Sequence, residues 1–370
     1  MISNADALSS VENDWWDLWL RSPAATVFQS PAWLIPWWQI FEPGSLRMIA
    51  IYQGKRLVGL APLFVRYKKG APWLFPLGRG ISDYTDILVD AECRSTVLKE
   101  MAITVVTLRP AWTHWEMPQL APDAVTLTFP CPDGATLTEE LGVACPALCL
   151  PDQASSLKDV VPARMWRNVR VATNRIERHG KHTILQAHDR EPKWWAFQLR
   201  RLHGARWNAK GKPGVLEDDR KEQFHAEAIG RLTKRGLVRL FALKLDDDVA
   251  GIYYGFHHRR CASYYLGGFN PASSYYRVGI FLFAHAITSA LREGADIFDF
   301  LRGGDAYKYD WGARDKWNQR RLISRPQPWT TQVRNAALSV CSKVAIGAGL
   351  LENRRPFRWS PRLAARGELV

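Results

Sequence analysis

Residues 264–312 read YYLGGFNPASSYYRVGIFLFAHAITSALREGADIFDFLRGGDAYKYDWG. The order is a strand, a loop, an amphipathic helix, a second strand, and a polar Gly-Gly-Asp loop that ends in a lysine. Ile280, Phe283, Ala284, Ile287 and Leu291 recur at helical spacing and form the apolar stripe of the helix. A helix that begins between two strands offers unpaired backbone N–H groups and the positive end of its dipole, a natural place for phosphate. Arg277, Val278, Gly279 and Ile280 form that beginning, which reads either as a phosphate-binding loop or as an ordinary helix start. The layout points to acyl transfer on an α/β scaffold.

Outward from this stretch, the chain has 370 residues, more than one ordinary domain, and two domains are expected. Hydrophobic content of 47% with 23% charged residues is that of a soluble globular protein. Seventeen Trp imply cores dominated by aromatic packing. The N-terminus lacks a basic segment followed by an apolar one, so a signal peptide is not expected. No apolar run approaches the roughly 20 residues that span a bilayer. The six Cys are scattered, with only Cys145 and Cys149 close together, which supports neither a zinc site nor a disulfide framework and fits a reducing cytoplasm.

The net charge of +14 is local. Residues 158–181 hold seven Lys/Arg against Asp159 and Glu177, and residues 301–370 hold fourteen against five acids. Their balances of +5 and +9 account for the whole excess. These segments read as two solvated faces, or as surfaces that attract an anionic donor, RNA or a membrane.

The first half opens on a Trp-rich helix and then FQSPAWLIPWWQIF, where Ser30 and Pro31 look like an N-cap followed by a first-turn proline. A hairpin around Gln53-Gly54-Lys55 follows, then a strand, a glycine-bearing loop and a strand in WLFPLGRGISDYTDILV, and a helix in LKEMAITVVTL. The stretch CPALCLPDQ at 145–153 reads as a linker. In the second half, Met165, Trp166, Val169, Ala172 and Ile176 mark a helix closed by Gly180. Strands then turn at 246–248 and 258–260. YQGKRLVGLAPLF in the first half echoes KLDDDVAGIYYGF in the second, a weak internal duplication.

Taken together, FQSPAWL at 28–34, LVGLAPL at 57–63, GRGISDYTD at 78–86, the arginine-rich helix at 164–178, LHGARW at 202–207 and GADIFDFLRGGDAYKYDWG at 294–312 resemble a known family. The chain is similar over residues 25–325 to GNAT-superfamily acetyltransferases built from two fused GNAT-like domains, of the type named after the cellulose-biosynthesis protein CelD. It is more distantly similar to the Fem-type peptidyltransferases of cell-wall synthesis. The resemblance implies an α/β (α+β) fold of two tandem GNAT-like (acyl-CoA N-acyltransferase) domains, each a mixed, mostly antiparallel sheet flanked by helices. The divisions would be 1–150, then 151–330 with the acyl-donor site, then a helical and basic tail at 331–370.

It also implies roles for single residues. Lys308 matches the lysine that stabilises the oxyanion in Fem-type enzymes, against a plain surface lysine. Asp83 matches an acid that orients or deprotonates the acceptor amine, against a turn cap beside Asp86. The loop at 277–280 would cradle the coenzyme A pyrophosphate, with Arg277 and Gly279 retained from the family pattern.

From the residues alone, Asp299 in the apolar strand IFDFL is either a buried acid holding Arg302 or a loop N–H, or a general base raised by desolvation. His203 is a general base or a packed helix histidine. His257 and His258 have no partner at ligand spacing, and no metal is expected.

The expected activity is acyl transfer, acetyl first, from acyl-CoA to an amine or sugar-linked acceptor. It proceeds without a covalent enzyme intermediate, in exopolysaccharide or envelope synthesis, with no DNA partner. The alternatives are an aminoacyl-tRNA-dependent peptidyltransferase and a non-catalytic binding protein that keeps the fold. The protein would be cytoplasmic, with a peripheral contact to the inner membrane as one reading of the basic tail.

Overall fold

The computed structural model describes residues 1–326 except 5, 209–210, 212–213 and 215, and the expectation for the tail at 331–370 lies outside the described residues. The chain forms two compact units, one of residues 1–34, 42–142 and those from 317 onward, the other of 35–41 and 143–316.

The first unit begins with α1 (Asp6–Ser10), α2 (Glu12–Arg21) and α3 (Pro31–Phe41), the last passing into the second unit. The carbonyl of Ser30 accepts the Trp33 and Leu34 N–H groups, as the Ser-Pro start requires. Strands β1 (Ser45–Leu46), β2 (Ile49–Gln53), β3 (Arg56–Ala61), β4 (Leu63–Lys68), β5 (Ala71–Pro76) and β6 (Leu88–Val89) precede α4 (Arg94–Thr107), β7 (His114–Leu120) and β8 (Thr136–Cys149). β2, β3 and β6 form an antiparallel three-stranded sheet. β4 pairs with β1 and β5 antiparallel, and β5 runs parallel to β7. Val97, Met101 and Val105 of α4 share one buried cluster with Val65, Leu74, Trp115 and Met117 of these strands.

The second unit contains α5 (Ala163–His179), β9 (His182–Gln186), α6 (Pro192–Asn208), α7 (Asp219–Thr233), β10 (Val238–Leu245), β11 (Asp248–His258), β12 (Cys261–Phe269), α8 (Val278–Arg292), β13 (Ile297–Asp299), α9 (Ala306–Asp310) and the first residues of β14 (Arg314–Ser324). Its strand order is β8-β13-β12-β11-β10-β9. The pairs are antiparallel except β12 with β13. On β11, Tyr253 meets Phe283 of α8, whereas the next residue, Tyr254, meets His225 of α7. Successive strand residues point to opposite faces, so α8 lies on one face of the sheet and α7, with its neighbour α6, on the other. Met165, Val169, Ala172 and Ile176 are the buried stripe of α5, which Gly180 ends at φ +94°.

One expectation is overturned. The stretch at 145–153 is not a linker: its first residues are the end of β8, paired with β13 through Cys149, Leu148 and Ala147. Cys145, Leu148 and Leu150 are buried. Pro146 has no N–H to donate, but its carbonyl accepts the Phe300 N–H at 2.9 Å, so the proline costs this ladder little.

The two echoing hairpins are β2–β3 and β10–β11. Each carries a register shift beside a glycine, between Ile51 and Tyr52 opposite Gly59 and between Leu243 and Lys244 opposite Gly251. In each, a helix lies against the bare glycine: a Cβ at Gly59 would collide with Val97 of α4, and one at Gly251 with Val278 of α8. Valine cannot turn aside cheaply, because its branched Cβ leaves one favoured rotamer in a helix. Gly251→Ala should therefore lose about 2 kcal/mol of stability. Urea denaturation measures it, and an unchanged midpoint would show that α8 does not lean on this glycine.

In the first unit the loop before β6 is tied down by Asp86, whose carboxylate accepts the N–H groups of Val125 at 2.7 Å and Thr126 at 2.9 Å. Burial pushes its pKa up to about 6 from 3.8, held back by hydrogen bonds from Thr126, Val125 and Ile87. The folded pKa lies above the unfolded one, so this contribution is full below 3.8 and lost as pH rises through about 6. The size is about 3 kcal/mol. Asp86→Asn cannot ionise, so its stability relative to the parent should improve between pH 4.5 and 7. Denaturant midpoints at both pH values test this, and a constant difference would refute it.

Candidate functional site

The site follows from how one parallel strand pair ends. β12 and β13 are in register only over Cys261–Ile297, Ala262–Phe298 and Ser263–Asp299. β12 runs on to Phe269. Beyond Asp299 the other chain keeps to β8 instead, with the Phe300 N–H on the Pro146 carbonyl and the Gly303 N–H on the Ala144 carbonyl at 2.8 Å. The two strands therefore part, and from Tyr264 onward β12 runs on without β13. A further irregularity at the same level, between Tyr254 and Gly255, leaves Tyr265 as an extra residue on β12 and sharpens its twist.

The turn that takes the chain away from β12 is held by two of the expected catalytic residues. Leu301, buried, sits at φ +55°, in the left-handed region that non-glycine residues avoid. Asp299 accepts the Leu301 N–H at 2.7 Å through Oδ1 and pairs through Oδ2 with Lys316 at 3.1 Å. Lys308, only 2% exposed, donates from Nζ to the carbonyls of Leu301 at 3.3 Å and of Arg302 and Gly303 at 2.8 Å. Asp305 lies 3.6 Å from the same nitrogen. A surface lysine it is not, and its ammonium is surrounded by carbonyl oxygens.

In the gap lies a cavity of about 210 Å³. Aromatic rings form part of its wall, with Tyr264 and Phe269 of β12, Phe283 of α8, and Tyr307 and Trp311 after β13. Phe283 lies against three of them, its ring 4.6 Å from Tyr264, 5.7 Å from Tyr307 and 5.8 Å from Trp311. Burial pushes both phenols up, and the Arg206 guanidinium opposes this in each. Gly279 and Ile280 line the cavity where α8 begins, and Asn168 where α5 passes it. A Cβ at Gly279 would find nothing nearer than Phe269 at 4.0 Å, so the backbone there is open to approach. Arg277 enters α8 at φ +51° and its Nη1 donates to Asn168 Oδ1 at 2.8 Å, which ties α5 to the helix start. Val278, buried, is the residue on Gly251.

His203 stands behind the cavity wall. Its Nδ1–H donates to the Gly267 carbonyl at 3.0 Å, and burial pulls its pKa down, so the ring is neutral at pH 7 with a bare Nε2. Gly268 completes the contact, since any Cβ there would collide with the backbone of Leu202 and His203. Asp83 is buried in the first unit. The structure thus gathers Arg277, Val278, Gly279, Ile280, His203, Asp299 and Lys308 around one cavity, with only Gly279 and Ile280 in its lining. Among the described residues no group of three or more His, Cys, Asp or Glu could hold a metal ion, and no helix is long and apolar enough to cross a membrane.

Sequence reasoning missed Arg206, Tyr264, Phe283, Tyr307 and Asp310. Four of them lie inside motifs already singled out: LHGARW holds Arg206, GGDAYKYDW holds Tyr307 and Asp310, and the stripe of α8 holds Phe283.

Residues 163–309 match the family model described as acetyltransferase (GNAT) domain. No curated protein sequence matches the chain. Among solved structures the fold is similar to that of FemX, with a TM-score of 0.64 and 11% identity over 88% of this chain and 98% of that one. It is also similar to a conserved protein of unknown function from Bacteroides thetaiotaomicron (0.55, 12%, 88% and 100%). L-PGS from Bacillus licheniformis is a third such structure (0.50, 12%, 91% and 96%). At these identities the likeness is one of fold, and the fold is GNAT-like.

Removing the Lys308 ammonium strands three buried carbonyls and releases a left-handed leucine. Lys308→Met should cost the second unit about 3 kcal/mol. Chemical denaturation reads it, and a stability equal to the parent would leave the ammonium free for another task.

Proposed function

We propose that the second unit transfers an acyl group, acetyl in the simplest case, from acyl-CoA to an amine, free or sugar-linked. The observation that supports this most is the aromatic cavity in the gap between β12 and β13, with the start of α8 at its mouth. The residues suit coenzyme A. The Arg277 carbonyl takes the Ile280 and Phe281 N–H groups, which leaves those of Val278 and Gly279 without an intrahelical partner at a mouth that Gly279 keeps open. The edge of β12 from Tyr264 onward, free of β13, offers backbone groups to an amide-bearing chain.

Bound there, acyl-CoA supplies an acyl group already activated as a thioester. Phe269, Phe283 and Trp311 exclude water from it. Burial keeps Tyr264 and Tyr307 protonated at neutral pH, so either phenol can hand a proton to the departing sulfur. As the amine nitrogen bonds to the acyl carbon, the carbon–sulfur bond breaks; the amine loses one proton and the sulfur gains one. No Cys or Ser is among the residues that line the cavity, which favours direct transfer. In this reading Asp299 and Lys308 hold the turn that opens the cavity, His203 holds its wall, and Asp83 stays a candidate for orienting an acceptor. The resemblance to CelD-type proteins suggests polysaccharide or envelope synthesis as the setting, in the cytoplasm or at the inner membrane.

Calorimetry with acetyl-CoA should show binding, and Gly279→Leu, which fills open space without backbone strain, should weaken it about 30-fold at unchanged melting temperature. No heat with the parent protein would sink the proposal.

A further inference from the structure

We infer that the acceptor is a zwitterion, an amine that carries a carboxylate, read by Arg206 and Asp310; this rests on the acyl-transfer reading above. Two charged side chains line the cavity, the half-buried Arg206 from α6 and the exposed Asp310 at the end of α9. Other arginines of this unit have acids, among them Arg200 with Asp219 and Glu222, Arg239 with Glu293, and Arg260 with Asp152 and Asp296, whereas Arg175, Arg201 and Arg277 bond carbonyl or amide oxygens. Arg206 has no carboxylate partner among the described residues. Its guanidinium lies 5.5 Å from the Phe269 ring and 6.0 Å from the Tyr307 ring. A half-buried guanidinium that meets two aromatic rings and the Tyr264 phenol, with no acid beside it, keeps the rest of its planar fork for a carboxylate.

Asp310 likewise has no cation among the described residues, since the neighbouring Lys308 is held by carbonyls and Asp305. The two are not paired with each other. An ammonium on Asp310 and a carboxylate on Arg206 would satisfy both charges in one small molecule.

Arg206 comes from α6, on the face of Tyr254, but its guanidinium reaches Phe269, Tyr307 and Tyr264, and the last two lie against Phe283 of α8. The acceptor would therefore lie beside the donor's acyl end, in the same cavity. At roughly 30 Å³ per water-sized group the cavity holds about seven such groups, enough for a small acceptor head beside an acyl end.

The test pairs each common amino acid with its C-terminal carboxamide as acceptor, with acetyl-CoA as donor, and reads free thiol. Calorimetry with acetyl-CoA alone comes first, and its failure would overturn the acyl-transfer reading itself. Given donor binding, free carboxylates should be preferred by about 10- to 100-fold in kcat/KM. Arg206→Met should erase that preference by raising KM for the acid but not for the amide. Equal rates within pairs, a preference for the carboxamides, no turnover of any pair by the donor-binding protein, or a preference that survives Arg206→Met would each overturn the zwitterion inference.

Discussion

Leu301 is held in the left-handed region, and the site of the second unit depends on that one backbone choice. A parallel pair that ran its full length would close the sheet and leave no edge for a ligand. Here the pair lasts three residues, and the turn at Leu301 directs the chain along β8 and away from β12. Such a conformation costs about 1–3 kcal/mol and persists only where its surroundings over-determine it. Asp299 holds the N–H of this residue and Lys308 its carbonyl, so the peptide groups on both sides of the strained residue are fixed.

Lysine suits this task for a physical reason. Its ammonium has three donors on one compact centre, and three carbonyls converge on it, of Leu301, Arg302 and Gly303. An arginine fork is flat and would not meet three oxygens gathered around a point. Burying a charge in this way is tolerable only when each donor is satisfied, which is why the Gly-Gly segment wraps so closely around Nζ. The charged residues that look most chemical in the sequence are thus paired inside the scaffold, while Arg206 and Asp310 line the cavity without an oppositely charged partner among the described residues.

The fold was legible because its signals are periodic: the stripe of α5, the stripe of α8 and the two glycine hairpins each report a local pattern that packing then confirms. The stretch at 145–153 was misread because two prolines outweighed three buried apolar residues, and only the pairing with β13 reveals a strand. Which member of each site motif faces the cavity was not legible. In GGDAYKYDW the lysine carries the obvious chemistry, yet the short helix α9 turns Tyr307 and Asp310 to the cavity and Lys308 to the loop behind it. In LHGARW the same holds for Arg206 over His203. His203 and Arg206 are three residues apart, and Lys308 is one from Tyr307 and two from Asp310, so side-chain direction, which sequence alone does not set, decides the matter.

The duplicated hairpins show why a shared scaffold need not give a shared site. In both units a helix is drawn onto the sheet at a bare glycine, but the residue that makes the contact differs. Val97 lies a turn inside α4, whereas Val278 is the first residue of α8. Pinning a helix by its first residue fixes its N-terminal N–H groups against the sheet, opposite the Phe269 end of β12 that runs on beyond β13. Pinning it one turn later leaves that end free of the constraint. The strained turn at Leu301 makes the opening, and the contact between Gly251 and Val278 places the positive end of α8 at it; neither alone would make a place for an anionic donor.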